Sequence, residues 1–115
     1  MKRIAIAAAL SLALGATAVT PAQAEESLTL KKIKDTGTIT LGHRESSIPF
    51  SYYDDKQQVI GYSHELMLKV VDSIKNELKL GKIDIKLMPV TSANRITLVQ
   101  NGTVDIECGS TTNNL

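Results

Sequence analysis

The feature that most constrains the fold is a series of short β-branched runs separated by helix-forming segments. The runs cover residues 38–41, 82–90 and 104–108, and in each of them apolar and polar side chains tend to alternate. Alternation with a period of two and an enrichment in threonine, isoleucine and valine predict strands. Strands that alternate with helices predict an α/β fold with a mostly parallel sheet and right-handed crossovers.

The segment between the first two runs, residues 63–81, predicts the longest helix. Four apolar residues recur at steps of four, three and four and form one face: Met67, Val71, Ile74 and Leu78. Ser63 is predicted to cap the first turn and Gly81 to end the helix in a left-handed conformation.

Shorter elements are predicted on either side of this helix. Residues 27–37 resemble a short basic helix that ends at a glycine, and residues 91–102 resemble another that begins at Thr91 or Ser92. Two extended runs, residues 50–53 and 59–62, flank a polar turn and predict a β-hairpin.

The first 24 residues have a different character from the rest of the chain. A basic start is followed by an apolar run over residues 4–19 and by the small-residue pattern Ala22-x-Ala24. This order predicts a secretory signal peptide that is cleaved after Ala24. A membrane anchor is the alternative, but the run is shorter than the ~20 residues that a membrane span needs.

Charge and cysteine content restrict the binding partners and the disulfides that this chain could have. The chain has 13 basic and 12 acidic residues and a formal net charge of +1, without a basic stripe, so nothing favours a nucleic-acid partner or an anionic membrane. The single cysteine, Cys108, has no partner within the sequence for a disulfide. It is either buried in a strand or paired with a residue outside this sequence.

Hydrogen-bonding residues follow each of the three predicted strands, at residues 42–47, 91–95 and 109–114. The carboxyl ends of parallel strands meet at one edge of a sheet, and ligands bind there. Arg44 and Arg95 provide planar donors that suit carboxylates, and a helix that starts near Ser92 favours an anion. The sequence therefore predicts a site for a small ligand with two carboxylates, or for a phosphate.

Signals for catalysis are weak. Neighbouring serine, histidine and glutamate at residues 43–46 cannot form a triad, because adjacent side chains point in different directions. His43 and His64 lack the spacing of metal ligands, so no catalytic residue, metal or cofactor is predicted. Asp105 and Glu107 alternate with apolar residues, which predicts that both lie on a solvated face of the sheet.

Three motifs behind the predicted signal peptide carry a resemblance to a known family: "GHRESSIPFSYYD", "IGYSHELMLKVV" and "PVTSANRITLVQNGTVDIECGSTTNN". Together they resemble family 3 periplasmic solute-binding proteins, in particular the glutamate/aspartate-binding components of ABC importers. The resemblance implies the type II periplasmic-binding-protein fold, in which two α/β lobes close around an amino acid. It also implies a monomer in the periplasm, without a cofactor, that delivers L-glutamate or L-aspartate to a membrane permease.

The same resemblance implies roles for individual residues. Arg95 would bind the α-carboxylate of the ligand, and Arg44 would pair with its side-chain carboxylate. Ser92, Ser110 and Thr112 would form hydrogen bonds to the carboxylates and the ammonium group.

Family members are well over twice as long as the predicted mature chain. Residues 25–115 would therefore form only part of the first lobe, and the sequence is expected to be a fragment that lacks the second lobe. Two alternatives to a transport function stay open. One is a periplasmic dehydratase or lyase on the same scaffold that recruits His43 or Glu45, and the other is the sensory domain of a receptor.

Overall fold

The computed structural model describes residues 27–114. The elements, in chain order, are α1 (Leu28–Thr36), β1 (Thr38–His43), β2 (Ser46–Ser47), β3 (Ser51–Tyr53), β4 (Val59–Ile60), α2 (Tyr62–Glu77), β5 (Asp84–Pro89), α3 (Arg95–Gln100) and β6 (Ile106–Glu107). The predicted signal peptide and its cleavage site lie outside the described residues. Within residues 27–114, no helix is both long and apolar enough to cross a membrane.

The sheet that organises the domain is parallel and has the strand order β5-β1-β6. Strand β1 lies in the centre, with Leu41 opposite Leu87 on one side and opposite Ile106 on the other. Strands β2, β3 and β4 form a separate antiparallel sheet. The predicted α/β fold with a parallel sheet is thus confirmed, and the carboxyl ends of β1, β5 and β6 share one edge.

The core lies between the parallel sheet and the two longer helices. Its fully or almost fully buried members are Ile33, Ile39, Leu41, Met67 and Val71. The apolar face predicted for α2 is confirmed, because its other two members also pack against this cluster, as the partly buried Ile74 and Leu78.

The helix ending predicted at Gly37 is correct, and the one predicted at Gly81 is wrong. Gly37 ends α1 with a left-handed φ of 66°, and its N–H donates to the carbonyl of Ile33. Helix α2 ends at Glu77 instead of Gly81, and the left-handed residue is Lys79, with φ 54°. The N–H of Leu80 then donates to the carbonyl of Lys75, which forms a Schellman motif.

The start of α2 also differs from the prediction. Gly61 precedes the helix with φ 125°, and a Cβ there would lie 2.3 Å from the carbonyl oxygen of Phe50. Only glycine fits this close approach of two backbones. Ser63 does not cap the helix, because its Oγ donates to the carbonyl of Gly109 at 2.8 Å instead. This bond connects the start of α2 to the segment after β6.

The prediction that Asp105 faces solvent is wrong. Its side chain is only 3% exposed, and it pairs with the ammonium group of Lys32 on α1. Its second carboxylate oxygen accepts the N–H of Thr40 in β1 at 2.8 Å. The Lys32 ammonium also donates to the carbonyl of Gly102 at 3.0 Å. One carboxylate thus joins α1, β1 and the approach to β6.

Candidate functional site

The first pair of predicted site residues meets across the shared edge of the sheet. Arg44 follows β1, Ser92 follows β5, and Nη1 of Arg44 donates to Oγ of Ser92 at 2.9 Å. The parallel pairing of β1 with β5, with His43 opposite Pro89, brings the two loops together. Arg44 and Ser92 thus meet at the strand ends, as the sequence predicts.

The loop after β6 reaches the same edge from the other side of β1. Ser110 and Thr112 line a cavity of about 220 Å³ together with Phe50 and Tyr62. Oγ of Ser110 also donates to Oγ of Ser47 in β2 at 3.4 Å. Phe50 and Tyr62 are 43% and 63% exposed as residues, so their aromatic rings can cover the apolar part of a small ligand.

Arg95 lies in a neighbouring cavity of about 270 Å³ that it lines with Ile96, Val99, Glu107 and Thr111, among others. Thr111 also lines the cavity of Ser110 and Thr112, so the two cavities adjoin. Nε of Arg95 is buried and has no hydrogen-bond partner among residues 27–114. A buried guanidinium N–H without a partner is a donor that an anionic ligand can satisfy.

The helix that carries Arg95 is shorter than the sequence predicts. Helix α3 begins at Arg95 and has six residues, because Thr91 and Asn94 close a turn before it. Asn94 Oδ1 accepts the N–H of Thr91 at 2.8 Å, and Thr91 Oγ1 accepts the N–H of Asn94 at 3.2 Å. A helix this short contributes little dipole, so Arg95 itself provides the positive charge at this position.

Two buried histidines lie beneath the Arg44 loop. His43 is 2% exposed, its ring packs edge-on against Tyr53 at a centroid distance of 5.5 Å, and its Nδ1 donates to the carbonyl of Arg44 at 3.1 Å. His64 is 7% exposed, and its Nδ1 has no hydrogen-bond partner among the described residues. Both rings are therefore inside the protein, which agrees with a local structural role for His43.

Burial lowers the pKa of His64 below its ordinary value of 6.5, and the charge of His43 lowers it further, against a smaller opposite effect of Glu65. The unfolded chain then binds a proton more readily than the folded protein, so stability is lost as the pH falls through about 6.5. We expect the free energy of unfolding to be lower at pH 5.5 than at pH 7.5, with a slope of at most about 1.4 kcal/mol per pH unit from this group.

Urea denaturation at pH 5.5, 6.5 and 7.5 measures this dependence. The variant His64→Gln is the control and should show a shallower slope over the same range, because most carboxylates titrate below it. An equal slope in both proteins would mean that His64 is not the group responsible.

Cys108 faces away from the site. It lines an apolar groove of about 690 Å³ with Leu30, Leu66, Val70 and Ile74, among others. Burial, followed by the neighbouring Glu107 carboxylate, raises the pKa of the Cys108 thiol. The groove has few polar groups to orient a ligand, and no cluster of three metal-ligating side chains occurs within residues 27–114.

Three residues near the site are given no role in ligand binding by the sequence analysis. Ser47 contacts Ser110, Ser63 anchors Gly109, and Tyr62 lines the cavity as the first residue of α2. Tyr62 belongs to the predicted extended run 59–62 but instead begins α2. Ser47 lies in the hydrogen-bonding segment 42–47 that follows the first predicted strand, but a two-residue strand such as β2 has no periodicity that could single it out.

Curated relatives are similar to this chain over most of its length. An L-glutamate/L-aspartate-binding protein of Pseudomonas aeruginosa is 66% identical over 87 residues, which cover 75% of this chain and 29% of the relative. A glutamate/aspartate import solute-binding protein of Escherichia coli K12 is 50% identical over 107 residues, which cover 93% of this chain and 35% of the relative. This chain spans about a third of the length of these curated relatives.

A solved structure gives the same fold. An ancestral cationic amino acid solute-binding protein superposes with a TM-score of 0.63 at 26% identity, over 75% of this chain and 34% of that one. The family model of bacterial extracellular solute-binding proteins, family 3, matches residues 39–115, which include the strand-end loops that carry Arg44, Ser92 and Arg95. This chain belongs to the bacterial extracellular solute-binding proteins of family 3.

Proposed function

We propose that the complete gene product is a periplasmic binding protein that captures L-glutamate or L-aspartate and delivers it to the membrane permease of an ABC importer. The names of the relatives at 50% to 66% identity support the ligand and the import function. They also favour binding over catalysis, because all three are named as binding proteins. Export through a signal peptide cleaved after Ala24, and action as a monomer, are parts of the same proposal.

The position of Arg44 is the observation that most supports an acidic ligand. Its guanidinium lies at the shared strand edge and is hydrogen-bonded to Ser92, and its stem lies against Gly109, which lines the cavity with hydroxyl groups. In this proposal Arg44 pairs with the side-chain carboxylate of the ligand and Arg95 binds its α-carboxylate. Ser92, Ser110 and Thr112 complete the hydrogen bonds. Two separate cations suit a dicarboxylate better than a neutral amino acid.

Residues 25–115 are proposed to form part of the first lobe. This chain spans only about a third of the length of the curated relatives, which supports the assignment of residues 25–115 to part of one lobe. A second lobe would close over the cavity, exclude water and strengthen the ion pairs with the ligand.

Calorimetric titration of the complete gene product tests the proposal. We expect tight binding of L-glutamate or L-aspartate, much weaker but measurable binding of glutamine, and no heat at equal concentration with arginine or leucine. Binding of a neutral or cationic amino acid without binding of either acidic one would refute the proposed ligand class. Glutamine is the matched control ligand, because it has the shape of glutamate without the charge.

A further inference from the structure

The backbone of Arg44 is held by a buried side chain. Ser51, the first residue of β3, is 0% exposed, and its Oγ accepts the N–H of Arg44 at 2.9 Å and donates to the carbonyl of Arg44 at 3.3 Å. Nδ1 of His43 donates to the same carbonyl at 3.1 Å. Arg44 lies between β1 and β2, outside both strands, so these side chains replace the partners that a ladder would supply.

The aliphatic stem of Arg44 rests on the backbone of Gly109. A Cβ at Gly109 would lie 2.6 Å from Cγ of Arg44 and 2.9 Å from Oε1 of Glu107. The φ of Gly109 is not in the left-handed region, so glycine is required there for space and not for its conformation. The carbonyl of Gly109 accepts the Oγ–H of Ser63 at 2.8 Å, which fixes this support to α2.

The three parts of Arg44 are thus held separately: the backbone by Ser51, the stem by Gly109 and the guanidinium by Ser92. A free arginine side chain samples many rotamers, and a ligand that binds it must restrict them at an entropic cost. We propose that Ser51 and Gly109 are positioning residues that hold Arg44 ready for an acidic ligand and so set the preference for acidic over neutral amino acids. This inference rests on the proposed role of Arg44 in ligand binding.

The test compares Ser51→Ala and Gly109→Ala in the complete gene product, with the dissociation constants for glutamate and glutamine as the readout. We expect each variant to lose at least tenfold in affinity for glutamate and to stay within threefold for glutamine. Gly81→Ala is the matched control, since a Cβ there meets nothing within 4 Å and its φ is ordinary. Its affinities should equal those of the wild type.

A second pair of measurements distinguishes a positioning role from a general disturbance of the binding site. In an Arg44→Ala background, adding Ser51→Ala or Gly109→Ala should cause no further loss of glutamate affinity, because the residue they position is gone. Equal losses for glutamate and glutamine, or the same loss with and without Arg44, would overturn the proposal. Should Ser51→Ala fail to fold, Gly109→Ala decides, because the Cβ it adds pushes directly on the stem of Arg44.

The ligand-free protein provides a readout that does not depend on the proposed function. The Nε–H resonance of Arg44 should shift or broaden in Ser51→Ala and Gly109→Ala and stay in place in Gly81→Ala. An unchanged resonance in the first two variants refutes the positioning role even if glutamate binds. Failure of the wild type to bind any acidic amino acid, with the expected resonance changes, refutes the proposed function alone.

Discussion

Replacing Asp105 with alanine is expected to lower the free energy of unfolding by about 2 kcal/mol, because it leaves the N–H of Thr40 in the central strand without its acceptor and removes the partner of Lys32. The carboxylate is 3% exposed, pairs with Lys32 and accepts the N–H of Thr40. Alanine leaves that N–H without its acceptor and removes the ion pair between α1 and the approach to β6, although Lys32 still donates to the carbonyl of Gly102. The loss is a large part of the 5–15 kcal/mol that stabilises a typical domain.

Chemical denaturation followed by circular dichroism measures this change. The exposed ion pair between Lys31 and Asp35, at 3.4 Å with side chains 58% and 60% exposed, is the matched control. Asp35→Ala should cost less than about 0.5 kcal/mol, because water and salt screen an exposed pair. Asp105→Asn should fall between the two, since its amide oxygen can still accept from Thr40. Equal effects of Asp105→Ala and Asp35→Ala would contradict the assignment.

The parts of the fold that the sequence predicts are those that depend on periodic burial. The face of α2 with Met67 and Val71 repeats with the period of a helix, and Ile39 and Leu41 in β1 repeat with the period of a strand. Because strands alternated with helices, the parallel order was also predictable. The contact between Arg44 and Ser92 could also be predicted, because parallel strand order brings the ends of β1 and β5 to the same edge of the sheet.

The ends of elements were less predictable, because tertiary packing decides them. Helix α2 turns at Lys79, two residues before Gly81, which lets Leu80 and Ile83 pack against the core. The gain from that packing exceeds the cost of a left-handed lysine. Ser63, a good capping residue by type, donates instead to a carbonyl that is distant in sequence.

The tertiary surroundings of the charged residues Asp105 and Arg95 were also not predictable from the sequence. Alternation over residues 104–108 indicates which residues share a face, but it does not show that Lys32, far away in sequence, pairs with Asp105 inside the protein. For Arg95 the sequence indicated the correct edge of the sheet. The late start of α3 placed its side chain in the adjoining cavity instead of directly beside Ser110 and Thr112.

The largest effects on binding are expected at the two arginines of the proposed site. Arg44→Ala should weaken glutamate binding by more than 100-fold, or about 3 kcal/mol, because it removes the guanidinium that is proposed to pair with the side-chain carboxylate of the ligand. Glutamine, which has no charge there, should bind the variant about as well as it binds the wild type. Arg44→Lys should recover part of the loss, since lysine keeps the charge but not the planar pair of donors.

Arg95→Ala should instead weaken glutamate and glutamine to a similar extent, by about 3 kcal/mol each, because both ligands carry the α-carboxylate that Arg95 is proposed to bind. Lys34→Ala, on the exposed side of α1, is the control for a general loss of positive charge and should leave both affinities unchanged. Calorimetry of the four combinations of variant and ligand gives the contrast directly. If Arg44→Ala and Arg95→Ala reduced the two affinities in the same proportion, the two guanidinium groups would not have separate partners on the ligand. The division of roles between them would then be wrong, even if the protein binds glutamate.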